Sequence, residues 1–375
     1  MDDDGTILET GQLGDNIEDA EFYNGILVPG FTNSHCHIEL SHLKGKFYQG
    51  SGMAGFIKQI REGRETLPKE EREEAVEREL ENLYKEGTES MADISNSDES
   101  FYAKTKSPLY TRTFLEVFGS EPDDSFKILN QLSELKKRAD SAGIDSSPTP
   151  HSYYTMSKVL LAEITRLALE SGYISCHNQE SWEEDEMIRR GRGPLADDYK
   201  SRGLRTPELN PGGPMKYYSD LLRGMRRGAS GKIEGQVLLV HNTFTDKQSI
   251  ETAKEIFESI YWAICPMSNM FIHRALPPIH LMRREGLKIT LGTDSLSSNT
   301  KLSMVSEMYT IQRYFPTIPL PEIVKWATIN GAEFLKREKI GGSFEPGKRP
   351  GVVLIENVNL QNLKLLPESS GRRLV

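Results

Sequence analysis

The sequence predicts an α/β fold: a (β/α)8 TIM barrel with a small β-sandwich domain formed by both chain termini. Two observations lead to this prediction. Eight short, apolar, β-rich runs alternate with longer amphipathic stretches, and eight βα units in series favour a parallel sheet that closes into a barrel. Turn-forming residues and a β-rich run follow residue 340, and residues 1–25 look similar. We therefore assign residues 26–339 to the barrel and residues 1–25 with 340–375 to the appended β-domain.

Each predicted strand is a short apolar run rich in residues that favour β-structure. In chain order the strands occupy residues 26–35, 88–95, 109–118, 145–154, 173–178, 236–244, 261–269 and 288–295. Each predicted helix is an amphipathic stretch, and in chain order the helices occupy residues 67–86, 123–142, 156–171, 215–228, 246–258, 277–285, 302–314 and 321–336. The Gly- and Pro-rich stretch 191–215 lies between the fifth and sixth strands and is expected to form a lid or specificity loop.

The composition excludes several classes of protein. Lys and Arg number 46 against 55 Asp and Glu, and this net charge of −9 argues against a nucleic acid partner. No apolar run approaches the roughly 18 residues of a membrane helix, and the acidic start MDDDGTILETG is unlike a signal peptide. Three cysteines cannot pair evenly, which agrees with a reducing compartment. We expect a cytoplasmic protein that binds a small-molecule substrate. The sequence leaves the oligomeric state open, and a homo-oligomer is one of the possibilities.

Polar residues that can bind a metal follow several of the predicted strands. His35 and His37 are two positions apart in an extended segment, so both imidazoles can face one ion. His177, His241 and Asp294 each follow an apolar strand start, and active sites of barrels lie at these carboxyl ends. Such nitrogen and oxygen ligands suit zinc or ferrous iron. The alternative, ordinary hydrogen-bonded core residues, requires coincidence at four separate strand ends.

Six segments together resemble the amidohydrolase superfamily, within it the mononuclear-metal aminohydrolase branch that includes cytosine deaminase and chlorohydrolase-like deaminases. The last of the six resembles the strand that re-enters the small β-domain of those enzymes. The resemblance runs from about residue 24 to residue 357. The segments are PGFTNSHCHIELS (29–41), SCHNQES (175–181), LVHNTF (239–244), CPMSN (265–269), LGTDSLSSN (291–299) and FEPGKRPGVVLI (344–355).

The resemblance implies one divalent metal ion, zinc or else iron, with His35, His37, His177 and Asp294 as its ligands. The carbamylated lysine that two-metal members carry on strand four is not evident, which favours a single ion. Only 34 residues precede His35, fewer than family members commonly have. The appended β-domain is therefore expected to be incomplete at the N-terminus.

The resemblance also implies catalytic roles. Glu180 matches the acid that shuttles protons, and His241 matches the histidine that orients the attacking water. Asp294 is expected to act as general base, and His151, in PTPHSYYTMS (148–157), is a candidate substrate contact. A glutamic acid that both accepts and donates a proton needs a raised pKa, and we expect burial in the barrel mouth to raise that of Glu180.

These parts predict hydrolytic deamination of an amino-substituted heterocycle, a purine or nucleoside-like molecule, with release of ammonia through metal-activated water. Hydrolysis of a cyclic amide or of a C–Cl bond is the alternative reaction. Glu180 favours deamination, because that reaction needs protonation of a ring nitrogen. A catalytically silent scaffold is a third possibility, but it predicts a missing ligand or acid, and none is missing.

Five other residues receive weaker predictions. Glu39, His42 and Glu116 are further residues that can touch the substrate, and Glu39 can share the metal-facing side with His37. His273 and His280 follow in a loop and a helix, and we expect both at the surface.

Overall fold

The computed structural model describes residues 1–12, 20–225 and 227–375. Eleven strands occur in these ranges, of which β2 to β9 are parallel and form the barrel. The strands are β1 (Ile26–Pro29), β2 (Phe31–Cys36), β3 (Thr88–Ser95), β4 (Tyr110–Val117), β5 (Ser146–Pro150), β6 (Tyr173–Asn178), β7 (Ile233–His241), β8 (Phe257–Ile264), β9 (Lys288–Leu291), β10 (Val352–Asn359) and β11 (Lys364–Arg373).

The barrel closes from two four-stranded parallel sheets. Strands β2 to β5 form one sheet and β6 to β9 the other. Backbone bridges join their edges, between Ser152 and His177 on one side and between Cys36 and Asp294 on the other. The second of these junctions, the seam between β2 and the chain after β9, is reinforced by a buried pair. The Asn33 side-chain amide donates to Thr293 Oγ1 at 2.7 Å, and the Thr293 N–H donates to Asn33 Oδ1 at 3.1 Å. The predicted barrel fold is confirmed.

A three-stranded antiparallel sheet draws on both ends of the chain, in the order β1, β10, β11. Ile7 adds two backbone hydrogen bonds, to Gly347 and Lys348. The predicted strand 26–35 is divided at Gly30, whose N–H donates to the Pro350 carbonyl at 2.9 Å. Any side chain there would meet that carbonyl at 2.5 Å, so glycine is required where the chain passes from the terminal sheet into the barrel. Residues 13–19 of the predicted segment 1–25 lie outside the described residues.

Helices connect the strands of the barrel and pack against it. Within the described ranges they are α1 (Gly52–Gly63), α2 (Lys69–Lys85), α3 (Phe101–Lys106), α4 (Ser125–Ser141), α5 (Lys158–Glu170), α6 (Trp182–Arg190), α7 (Pro194–Ser201), α8 (Pro214–Leu221), α9 (Lys247–Ile256), α10 (Pro266–His273), α11 (Ile279–Arg284), α12 (Met304–Tyr314), α13 (Leu320–Ala327) and α14 (Ile329–Phe334). None of them combines the length and the apolar character that a membrane crossing requires.

Helix α5 illustrates why these segments fold where the sequence places them. The Ser157 hydroxyl caps its first turn by accepting from the Leu160 N–H at 3.3 Å. Leu160, Ile164 and Ala168 then recur at helical spacing and are fully buried against the barrel. The pattern that predicts the helix is therefore also the pattern that attaches it to the core.

Among the predicted elements whose bounds differ from the observed ones, three end early or break within their predicted range. The helix predicted at 215–228 ends at Leu221 and passes into a short 3-10 turn, and its residue 226 lies outside the described residues. The helix predicted at 321–336 breaks at Thr328, whose backbone has φ −130° and ψ −95°. The strand predicted at 261–269 stops at Ile264, because Pro266 begins helix α10.

Candidate active site

Five predicted site residues lie at the carboxyl ends of barrel strands. His35 is in β2 and His37 follows its last residue. His177 is in β6, and His241 is the last residue of β7. Asp294 comes three residues after β9. All five are buried, so the structure brings residues from four strands together at one rim.

His151 and Glu180 lie at the same rim. His151 directly follows β5, and Glu180 lies between β6 and α6. The ring of His151 stacks on that of His177, with centroids 4.6 Å apart. Burial lowers the pKa of His151 to about 4, so at neutral pH its imidazole is uncharged and can accept as well as donate a hydrogen bond.

Three histidines and one carboxylate form a compact cluster. The ligating nitrogens of His35, His37 and His177 all lie within 4.8 Å of one another. Asp294 Oδ1 is 3.9 Å from His35 Nε2 and 3.8 Å from His37 Nε2. Two ligands that each lie about 2.1 Å from one zinc ion can be at most about 4.2 Å apart. The two Asp294 separations lie within this limit, so one ion can bridge the carboxylate and the histidines.

The chemistry of the cluster also fits a metal ion. His35 is fully buried, and neither ring nitrogen finds a hydrogen-bond partner in the part of the chain that the structure describes. Burial holds the pKa of His35 well below its usual range, and the neighbouring imidazoles lower it further. A neutral imidazole with a free lone pair is the form that binds a metal, and an ion would supply the partner that His35 lacks.

Neighbouring groups orient two of the candidate ligands. The Nδ1–H of His177 donates to the His151 carbonyl at 2.9 Å, which leaves Nε2 as the nitrogen with a free lone pair. Asp294 Oδ2 accepts from the hydroxyls of Ser268 at 2.5 Å and Ser298 at 2.9 Å. Its Oδ1 is left facing the histidines.

Glu180 and His241 form a pair beside the cluster. The Asn269 amide donates to His241 Nδ1 at 3.2 Å, so the neutral ring carries its hydrogen on Nε2. That Nε2 is 3.5 Å from Glu180 Oε1. The Glu180 N–H donates to the Glu184 carboxyl at 3.0 Å, which fixes the backbone that carries the acid. A carboxyl group and an N–H donor thus stand side by side at the edge of the candidate metal site.

The expectation of a raised pKa for Glu180 is wrong. Burial does act in that direction, but the surrounding imidazoles outweigh it. His241, His273 and His177 together lower the pKa of the Glu180 carboxyl to about 2. Glu180 is therefore ionised before substrate binds, and it must take up a proton before it can donate one.

The backbone is strained where these residues meet. Gln179, His241, Asn242 and Asp294 all have positive φ values, between 46° and 70°. Non-glycine residues in this region cost on the order of 1–3 kcal/mol each, and such residues concentrate at functional sites. The strain lets the chain turn sharply at the strand ends, where it aims the His241 and Asp294 side chains at the rim.

The structure also places the residues with weaker predictions. The Glu39 carboxylate pairs with Arg64 and accepts from the backbone N–H of Asn96 and the hydroxyl of Ser97 instead of belonging to the histidine cluster. His42 Nε2 donates to the Arg64 carbonyl at 2.8 Å. Glu116 does reach the site, with Oε1 3.5 Å from His177 Nδ1.

The expectation of a surface position for His273 is wrong, whereas His280 is exposed as expected. The side chain of His273 is only 1% exposed, and its Nε2 lies 3.9 Å from Glu180 Oε1. His273 is four residues after Asn269 on helix α10, so both side chains lie on one helix face. The four-residue spacing of Asn269 and His273 is visible in the sequence. It indicates a shared face only once residues 266–273 are known to be helical.

Comparisons with known proteins agree with this geometry. The amidohydrolase family pattern matches residues 26–369. An adenosine deaminase of Helicobacter pylori is 26% identical over 343 residues, 88% of this chain and 79% of the relative. An aminodeoxyfutalosine deaminase of Nitratiruptor is 26% identical over 341 residues, 89% of this chain and 79% of the relative. The crystal structure of Helicobacter pylori aminofutalosine deaminase with methylthio-coformycin superposes with a TM-score of 0.77 at 25% identity, covering 94% of this chain and 87% of that one.

Proposed function

Because the chain belongs to the amidohydrolase family, we propose that it is a metal-dependent hydrolase that removes the exocyclic amine of a purine nucleoside and releases ammonia. The family predicted from the sequence motifs is thereby confirmed. The proposal names a nucleoside because two relatives are called an adenosine deaminase and an aminodeoxyfutalosine deaminase. A coformycin derivative occupies the related crystal structure.

One observation carries the proposal: a buried carboxylate, Glu180, stands beside the histidine cluster without belonging to it. A metal site alone supports many hydrolyses. Deamination of an aromatic ring also needs a group that brings a proton to a ring nitrogen and then to the leaving amine. Glu180 is placed for that task, and His241 lies next to it.

His35, His37, His177 and Asp294 would hold one divalent ion, zinc before iron. When bound, the ion supplies Lewis acidity that lowers the pKa of a water molecule from about 16 toward 7. Asp294 Oδ1, the oxygen its serine partners leave free, is placed to accept that proton.

Glu180, ionised at the start, would take up the first proton that the water gives up, by way of Asp294, and pass it to the ring nitrogen. It would then pass the second proton of the water to the amine, which departs as ammonia. His241, whose Nε2–H lies beside Glu180 Oε1, holds that carboxylate next to the attacked carbon. His151, neutral and half-buried, is available for a polar group of the substrate.

The test combines metal analysis with a screen for ammonia release. Purified protein should contain about one divalent ion per chain and deaminate purine nucleosides in preference to free bases, pyrimidines or triazines. His177→Ala should lose most of the metal and all of the activity, whereas His280→Ala, at an exposed histidine, should lose neither. Two ions per chain, or ammonia release from triazines alone, would contradict the proposal.

We further propose that residues 26–339 are the catalytic unit, except that β1 (Ile26–Pro29) pairs with β10 and so joins residues 1–25 and 340–375 in an appended unit. We also place the protein in the cytoplasm. All three cysteines are buried and free, a state that a reducing compartment maintains.

A further inference from the structure

His273 is a buried histidine near the reaction centre to which the mechanism above gives no task. It ends helix α10, and its ring packs edge-on against Phe244, with centroids 6.0 Å apart. One turn earlier on the same helix, Asn269 sets the tautomer of His241. One helix therefore reaches the site through two successive turns.

Both ring nitrogens of His273 are buried and have no hydrogen-bond partner in the described ranges. An unpaired buried polar group destabilises a fold, so native structures seldom retain one without a partner in the working state. The Glu180 carboxylate is the acceptor at hand, with Oε1 3.9 Å from Nε2. That gap exceeds a hydrogen bond by less than 1 Å, and such contacts at catalytic groups often tighten only when substrate binds.

The same oxygen is approached from a second direction. His241 Nε2 is 3.5 Å from Glu180 Oε1. Two imidazoles therefore flank one oxygen of the carboxylate, and Oε2 is left for the substrate. Because Glu180 is ionised, N–H donors on both sides of Oε1 would be charge-assisted and would fix the rotation of the carboxylate.

We propose that His273 is a positioning residue for Glu180: its Nε2–H donates to Oε1 and, together with His241, turns Oε2 toward the ring nitrogen that receives the proton. The inference rests on the proposed function for the identity of that nitrogen. The contact between His273 and Glu180 stands on the geometry alone.

Two conservative variants test the contact. Glutamine carries its amide nitrogen where Nε2 lies, whereas asparagine carries it where Nδ1 lies. With the best nucleoside from the screen, His273→Gln should keep kcat within about 3-fold of the wild type. His273→Asn and His273→Leu should lower kcat by about 10- to 100-fold, the usual effect of losing a hydrogen bond to a charged group. KM and metal content should change little, and His280→Gln is the matched control.

A double-mutant cycle separates positioning from other roles. In the Glu180→Gln background, which has no carboxylate to position, His273→Leu should lower kcat by less than about 2-fold. A loss that multiplies with that of Glu180→Gln would show that His273 acts on the substrate or on the packing, and the inference would be wrong. Equal losses in His273→Gln and His273→Leu would also overturn it.

A measurement without substrate separates this inference from the proposed function. The ring nitrogens of His273 can be followed by 15N NMR in the metal-loaded protein and assigned by their loss in His273→Gln. Glu180→Ala should shift the His273 Nε2 resonance and leave those of His280 in place. An unchanged resonance would refute the contact, whatever the substrate. A shifted resonance in a protein that deaminates no nucleoside would refute only the proposed function.

Discussion

Glu180→Gln is the substitution that most sharply separates a deaminase from a general metal hydrolase. The amide has the shape of the carboxylate, and its oxygen can still accept from His241 Nε2, 3.5 Å away in the wild type. What it loses is the ability to take up and release a proton. A positioned acid–base group contributes about 10²- to 10⁴-fold to kcat, or about 2.7–5.4 kcal/mol of transition-state stabilisation. We expect a loss in this range with little change in KM.

The assay measures kcat and KM for ammonia release, the metal content and the thermal unfolding midpoint of the same preparation. Glu186→Gln is the matched control, because Glu186 lies on the next helix in exposed ion pairs with Arg190 and Arg192. The variant should retain about one ion per chain, since Glu180 is not part of the histidine cluster. Loss of metal would make Glu180 a ligand or a support for one, and a rate within about 5-fold of the wild type would place the proton donor elsewhere.

Three further substitutions test the surroundings of the site. Burial raises the pKa of Glu184 to about 8, so the folded protein keeps a proton that the unfolded chain loses above pH 4.5. Between pH 5 and pH 8 the unfolding free energy should therefore fall more steeply in the wild type than in Glu184→Gln. The difference in slope should reach up to about 1.4 kcal/mol per pH unit, as denaturant titrations would reveal. Ser268→Ala removes one of two donors to Asp294 and should weaken metal affinity at least about 10-fold in a chelator competition, with no loss of fold. The stretch 191–215 is predicted to cover the substrate, and on its helix α7 the ring of Tyr199 lies 6.5 Å from that of Tyr154. Tyr199→Ala should therefore change the preference among nucleosides and leave the metal content intact. An unchanged preference would contradict the lid prediction.

The strand ends were the part of the site that the sequence could specify. His35 in β2 and His37, which directly follows that strand, are two positions apart in an extended segment, as alternation predicts. A polar residue after an apolar run marks where β6 and β7 reach the rim. These patterns are local, since each depends only on residues within one strand and its end, and the structure retains them. The rest depended on helix α10, where the prediction continued the strand to residue 269 although Pro266 is a helix-starting residue. With that helix unrecognised, His273 seemed exposed.

The charge state of Glu180 could not be predicted from the sequence for a different reason. Burial was foreseeable from its place after a core strand, and burial alone raises the pKa of a carboxyl group. The opposing effect comes mainly from His241 and His273, which are 61 and 93 positions further along the chain, with a smaller part from the nearby His177. No local pattern reports that two distant imidazoles converge on one oxygen, so the sign of the shift became visible only in three dimensions.

The seam between β2 and the chain after β9 has a consequence for how the protein is made. Asn33 and Thr293, the pair that fastens it, are 260 positions apart. The ribosome therefore releases His35 and His37 long before the segment that carries Asp294 has been synthesised. During that interval two histidines stand at the open edge of an unfinished sheet, where they can hold an ion only loosely. Secure metal uptake must wait until the segment that carries Asp294 has been synthesised, and a ribosome that stalls before residue 294 leaves a product that can be recognised by its failure to retain metal.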